Sequence, residues 1–71
     1  MSAIIKRSVK IAGHATSISL EEPFWEELGR LAKAQQKSIS ALIAEIDEHN
    51  TGNLSSAVRI YIFQALQERL K

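Results

Sequence analysis

Seventy-one residues with 9 basic and 8 acidic side chains, two histidines and no cysteine make one small domain that holds neither a disulfide nor a thiolate metal site. A chain of this size buries only about 60% of the surface its unfolded form exposes, so oligomerisation is the expected remedy for a marginal core. No run reaches the ~20 apolar residues of a membrane span, and the opening MSAII is too short for a signal-peptide core, which predicts a cytoplasmic chain with no membrane partner.

The net charge of +1 conceals an uneven distribution. Residues 1–20 carry Lys6, Arg7 and Lys10 and no acid, residues 21–30 set four glutamates against Arg30, and residues 41–50 hold three acids and no Lys or Arg. A basic leading end of this kind can face an anionic partner.

In chain order, residues 1–13 read as a basic arm. SVKIAG could extend a strand, but Ala12-Gly13 reads as a bend or bulge. ATSISL then alternates, with Thr16, Ile18 and Leu20 on one face and Ala15, Ser17 and Ser19 on the other, the period of a half-buried strand. A first helix opens near Glu21 or Glu22, where acids suit the positive end of the helix dipole and Pro23 fits the first turn. Phe24, Leu28, Leu31 and Ala32 form its apolar stripe, flanked by Trp25. A second helix opens at Ser38 or Ser40, either of which can cap it. Its apolar face is Ile39, Leu42, Ile43 and Ile46, and Asn50 or Gly52 can close it in a left-handed conformation. The third helix, capped by Ser55 or Ser56, carries Ala57, Val58, Tyr61, Ile62, Ala65 and Leu66 on one stripe. Ile60 and Phe63 lie off it, so this helix is expected to be covered on more than one side.

A strand with no neighbour leaves its backbone groups unpaired. The expected solution is a second copy, whose equivalent strand pairs antiparallel across a two-fold axis and closes the assembly. In that arrangement Thr16, Ile18, Leu20, Phe24, Leu28, Leu42, Ile43, Ile46, Val58, Tyr61 and Ile62 build a shared dimer core.

Catalytic chemistry is not legible. Asp47 and His49 are two apart and do not share a helix face, whereas Glu45 and His49, four apart, can pair structurally. No nucleophile, base and orienting group can be assembled, no glycine-rich phosphate loop is present, and no metal or cofactor is expected. Phe24, Trp25, Tyr61 and Phe63 stand at helical spacing among Leu and Ile and read as core; a small-molecule sensor built on them is the weakest functional alternative.

TSISLEEPFWEELGRLAKAQQKSISALIAEID, residues 16–47, resembles the ribbon–helix–helix DNA-binding proteins of the Arc/MetJ superfamily, and LSSAVRIYIFQAL fits as an additional C-terminal helix. The resemblance implies a mostly α fold: a basic arm over 1–13, a ribbon–helix–helix core over 14–50 with one strand pairing across an intertwined homodimer, and a C-terminal helix over 51–71 completing the dimer core. It implies a ribbon that enters the major groove of DNA. The outward strand positions are then Ala15, Ser17 and Ser19. The start of the second helix, Ser38, Ile39 and Ser40 with Lys37 beside it, would bind a phosphate through backbone N–H groups. Lys6, Arg7, Lys10 and His14 would add backbone contacts. Base-reading positions in such ribbons commonly carry Arg, Lys, Asn or Gln; Ala and Ser discriminate more weakly. The expected function is a homodimeric bacterial transcriptional regulator. The alternative is a dimeric interaction module, antitoxin- or adaptor-like, with a protein partner at the C-terminal helix.

Overall fold

A computed structural model describes residues 3–70. Met1 and Ser2, at the front of the expected arm, and Lys71, at the end of the expected third helix, lie outside the described residues.

The chain opens with two strands, β1 (Ile4–Ile11) and β2 (His14–Glu21), paired antiparallel. Between them stand Ala12 and Gly13, with φ of +53° and +83°. Two consecutive positive φ values make the tight turn whose twist matches that of the flanking strands. The register runs from Ile11 opposite His14 to Ile4 opposite Glu21. This corrects two expectations. Over Ile4–Ile11 the basic arm is a strand, and the neighbour of β2 is β1 of the same chain rather than a strand from a second copy. Period-2 patterning explains the pairing: Ile5, Val9 and Ile11 line up opposite Leu20, Thr16 and His14 and turn one apolar face inward.

Three helices follow: α1 (Glu22–Ala34), α2 (Ile39–Glu48) and α3 (Leu54–Arg69). α1 begins after Glu21 with a proline in its first turn, where the missing N–H is no loss. It ends in a Schellman-type closure. Gln36 takes a left-handed φ of +59°, Gln36 N–H donates to the Lys33 carbonyl, and Lys37 N–H donates to the Ala32 carbonyl. Ser38 caps α2, its Oγ accepting from Ala41 N–H at 3.0 Å. α2 ends at Glu48 with His49 at the C-cap, and neither Asn50 nor Gly52 takes a left-handed backbone. Instead the Asn50 side chain closes the loop by exchanging hydrogen bonds with the Gly52 backbone. The cap of α3 is Asn53, which accepts from Ser56 N–H at 3.1 Å, rather than Ser55 or Ser56.

The inner face of the hairpin packs on all three helices. Ile11, Ile18, Leu20, Trp25, Leu28, Ala32, Leu42, Ile43, Ile46, Val58 and Ile62 form the buried core, with Phe24 and Tyr61 partly buried against it. Most residues assigned to a shared dimer core are thus buried inside one chain. Trp25, expected at the flank of its stripe, is more deeply buried than Phe24. Its indole N–H donates to the Ile5 carbonyl at 2.9 Å, which ties α1 to β1. α3 buries only Val58 and Ile62 fully; Ile60, Phe63 and Leu66 stand exposed along it and Leu70 just past its end. The two-stranded antiparallel ribbon followed by helices is a ribbon–helix–helix architecture.

Candidate nucleic-acid interface

The hairpin turns its second face to solvent. Antiparallel register sets Lys6 opposite Ser19, Ser8 opposite Ser17, and Lys10 opposite Ala15. Side chains alternate between faces along a strand, so Lys6, Ser8, Lys10, Ala15, Ser17 and Ser19 share the outward face. All but half-buried Ser19 are exposed. Ala15, Ser17 and Ser19, the outward positions expected from sequence, are thus joined by two lysines and a serine from β1 that the expected arm had placed elsewhere.

Ile4 and Glu21 end this face. Glu21 is the nearest acid, and Arg59 of α3 neutralises it: Nε donates to the Glu21 carboxylate at 3.0 Å. That hydrogen bond holds the carboxyl below its ordinary value of 4.5, with help from a backbone hydrogen bond at Glu21 and the nearby guanidinium charge. The same guanidinium donates to the Ser19 carbonyl at 3.3 Å, and Ser19 N–H donates to Ser55 Oγ at 3.4 Å. Two side chains of α3 therefore close the outer edge of β2 at Ser19. This clamp has no local sequence signal, because Arg59 and Ser19 lie 40 residues apart.

Arg7 pairs with Ile18 and so belongs to the opposite face. Its guanidinium sits 5.1 Å from the centroid of the Trp25 ring, a cation–π geometry. Of the three basic residues expected to act together, Lys6 and Lys10 share the outward face and Arg7 braces the hairpin against α1. His14 is exposed at the turn end of the hairpin, directly opposite Ile11.

At the start of α2, the N–H groups of the first turn have no carbonyl within the helix to receive them. Ser38 Oγ satisfies that of Ala41. Ile39 packs against the core, its Cδ1 facing Gly29 of α1. Ser40 is half-buried. Lys37 is ion-paired with Glu45, so Glu45 pairs with Lys37 where the sequence pointed to His49. Among the described residues, no group of three or more His, Cys, Asp or Glu side chains could hold a metal ion, and no helix is long and apolar enough to cross a membrane.

A family model described as a ribbon-helix-helix domain matches residues 4–66. The match begins at the first residue of β1, so both strands of the hairpin belong to the family unit. Among solved structures, the chain is similar to an uncharacterized protein from Bordetella pertussis Tohama I, with a TM-score of 0.76 and 27% sequence identity. The similarity covers 94% of this chain and 60% of that one, so the chain spans less than two thirds of the protein it resembles. No curated protein matches the chain.

Proposed function

The chain belongs to the ribbon-helix-helix domain family, and from that premise we propose that it binds double-stranded DNA by laying the outward face of its hairpin in the major groove, as a bacterial transcriptional regulator acting in the cytoplasm. The observation that carries this reading is the register that puts Lys6 and Lys10 on one face with Ser8, Ser17, Ser19 and Ala15. The major groove admits a two-stranded ribbon, and here a single chain supplies both strands. Lysine can donate to O6 and N7 of guanine, serine can donate or accept, and an alanine methyl can touch the thymine methyl. The lysines thus add the long donors that Ala15, Ser17 and Ser19 lack. The free N–H groups of the first turn of α2 suit a backbone phosphate, and His14 at the hairpin tip can add a contact at the edge of the groove. In this role the protein acts as a homodimer, represses by occupying a promoter, and needs no catalytic group.

Fluorescence anisotropy with promoter and random duplexes at two salt concentrations tests the reading. Each lysine that contacts a phosphate contributes about 1 to the slope of log affinity against log salt. Lys6→Ala with Lys10→Ala should weaken binding, whereas Ser17→Ala with Ser19→Ala should alter which sequence is preferred. Arg7→Ala should leave affinity nearly unchanged, because its partner is Trp25. No binding of wild-type protein at low salt would overturn the reading and leave an interaction module that works through α3.

A further inference from the structure

The two edges of the hairpin are unlike. On the outer edge of β2, α3 takes both backbone groups of Ser19: its N–H donates to Ser55 Oγ and its carbonyl accepts from Arg59. Both groups therefore point away from β1, so Ser19 and Lys6 face each other at a non-hydrogen-bonded site of the ladder. Such sites recur at every second residue, which makes Ser8–Ser17 and Lys10–Ala15 sites of the same kind. At each of them the N–H and C=O of the β1 residue point away from β2. Lys6, Ser8 and Lys10 thus present three N–H and three C=O groups along the free edge of β1, and no other group among the described residues meets them. An open row of this kind is a template for a further strand.

The side chains at this edge specify which strand fits. Lys6, Ser8 and Lys10 are exposed on the outward face, and neither lysine has an ion-pair partner among the described residues. The nearest acid, Glu21, is held by Arg59. Ile5 and Val9 turn to the inner face and are only half-buried, so apolar surface remains beside the same edge. Side chains of an added strand alternate between the two faces. Opposite charges on neighbouring strands attract and like charges repel. The edge therefore calls for acids beside Lys6 and Lys10, with aliphatic residues between them on the inner side. A second copy of β1 does not meet this demand, because antiparallel pairing about Ser8 sets lysine against lysine at both ends. A nucleic acid has the charge but no peptide backbone to complete the ladder.

We propose that the free edge of β1 receives an extended segment of another protein in which acidic and aliphatic residues alternate, added to the hairpin as a third strand. Backbone hydrogen bonds to Lys6, Ser8 and Lys10 supply affinity, and the alternating side chains supply specificity, as in other strand-addition complexes. The acids set the register by their spacing, and the aliphatic residues extend the apolar inner face past Ile5 and Val9. The α3 clamp at Ser19 blocks the competing edge, so the site is one-sided. Lys6 and Lys10 also carry the DNA reading, so a strand seated here and a duplex exclude each other; the docking itself requires no DNA.

The probe is a fluorescein-labelled peptide, Thr-Glu-Val-Thr-Val-Glu-Thr-amide, titrated with the full chain at low salt, without DNA, and followed by anisotropy. Its glutamates fall beside Lys6 and Lys10 and its central threonine beside Ser8 in either strand direction. The unmodified peptide should bind. N-methylation of the central threonine removes an N–H that donates to β1 without changing charge, and should weaken binding about tenfold, the scale of one lost hydrogen bond. N-methylation of the first valine, whose N–H points away from β1, should leave affinity nearly unchanged. On the protein, Ser8→Pro deletes an edge N–H that the hairpin does not use, a place where a strand tolerates proline, and should weaken binding with an unchanged circular-dichroism spectrum. Lys6→Ala with Lys10→Ala should weaken binding and remove most of its salt dependence. If Ser8→Pro loses structure, the two methylated peptides on wild-type protein decide. No binding of the unmodified peptide would overturn the proposal. Equal affinity for the threonine-methylated peptide would overturn it too, since attraction by charge alone needs no strand pairing.

Discussion

Arg59 does more than any other single side chain to connect the sheet to the last helix. It holds the Glu21 carboxylate and the Ser19 carbonyl and lies 5.9 Å from the centroid of the Phe24 ring. Its ion pair with Glu21 is depressed-carboxylate chemistry, and the sign of its pH dependence follows. The folded state binds the Glu21 proton less tightly than the unfolded state, so the contribution is fully present above the ordinary value of 4.5 and fades as pH falls through and below it. Glu21→Gln keeps an acceptor for Arg59 but removes the titration. The thermal midpoint of wild-type protein should therefore exceed that of Glu21→Gln at pH 7, with the difference shrinking on acidification below 4.5. A constant difference across that range would remove Glu21 from the acid response. Little of this was legible in the sequence. Glu21 was visible as a helix-start acid, which is a local role. Its partner on α3 becomes a neighbour only once the intervening helices have folded back on the hairpin.

The hairpin is where expectation and structure part. Ser8 to Ile11 carries β-like residues, yet Ala12-Gly13 is not one of the dipeptides that announce a two-residue hairpin turn, such as Asn-Gly or Asp-Gly. Alanine at a φ of +53° is strained by its Cβ. The turn forms because the inward alternation of Ile5, Val9 and Ile11 against Leu20 and Thr16 outweighs that local cost. Replacing Ala12 with Asn should relieve it and raise stability by about 0.5–1 kcal/mol, the usual scale for matching a residue to its backbone conformation. For a domain this small, that is a rise of several degrees in thermal midpoint, readable by differential scanning calorimetry. A lower midpoint would mean that the Ala12 methyl makes a contact worth more than the strain. The helices were legible throughout, because their 3.6-residue stripes are long and their caps are polar. Ser38 matched its expected role, while α3 begins at Leu54, which puts Asn53 at the cap position, where it accepts from Ser56 N–H three residues on as Ser38 does from Ala41. That placement leaves the Ser55 hydroxyl to meet Ser19.

At the scale of the whole molecule, the family was legible and the use of its surfaces was not. The strand–helix junction TSISLEEPF announced the ribbon–helix–helix class, and the match over residues 4–66 bears it out. Alternation in β2 identified Ala15, Ser17 and Ser19 as outward. It could not say that Lys6 and Lys10 stand beside them, because that requires the register of β1. The apolar excess of the third helix pointed to burial on several sides. In the chain itself Val58 and Ile62 are buried, and Ile60 and Phe63 are left in solvent.

Closure of the ribbon within one polypeptide has a kinetic meaning. The densest pairing in the molecule links residues separated by no more than 17 positions, Ile4 to Glu21, and nearest-neighbour hairpins of this sort assemble in about 1–10 μs. Strand pairing is then a first-order event that needs no second chain. Refolding followed by the fluorescence of Trp25, the chain's one tryptophan, should proceed at the same rate after a tenfold dilution. A rate that slowed in proportion to dilution would mean that each subunit acquires its shape only in the company of another.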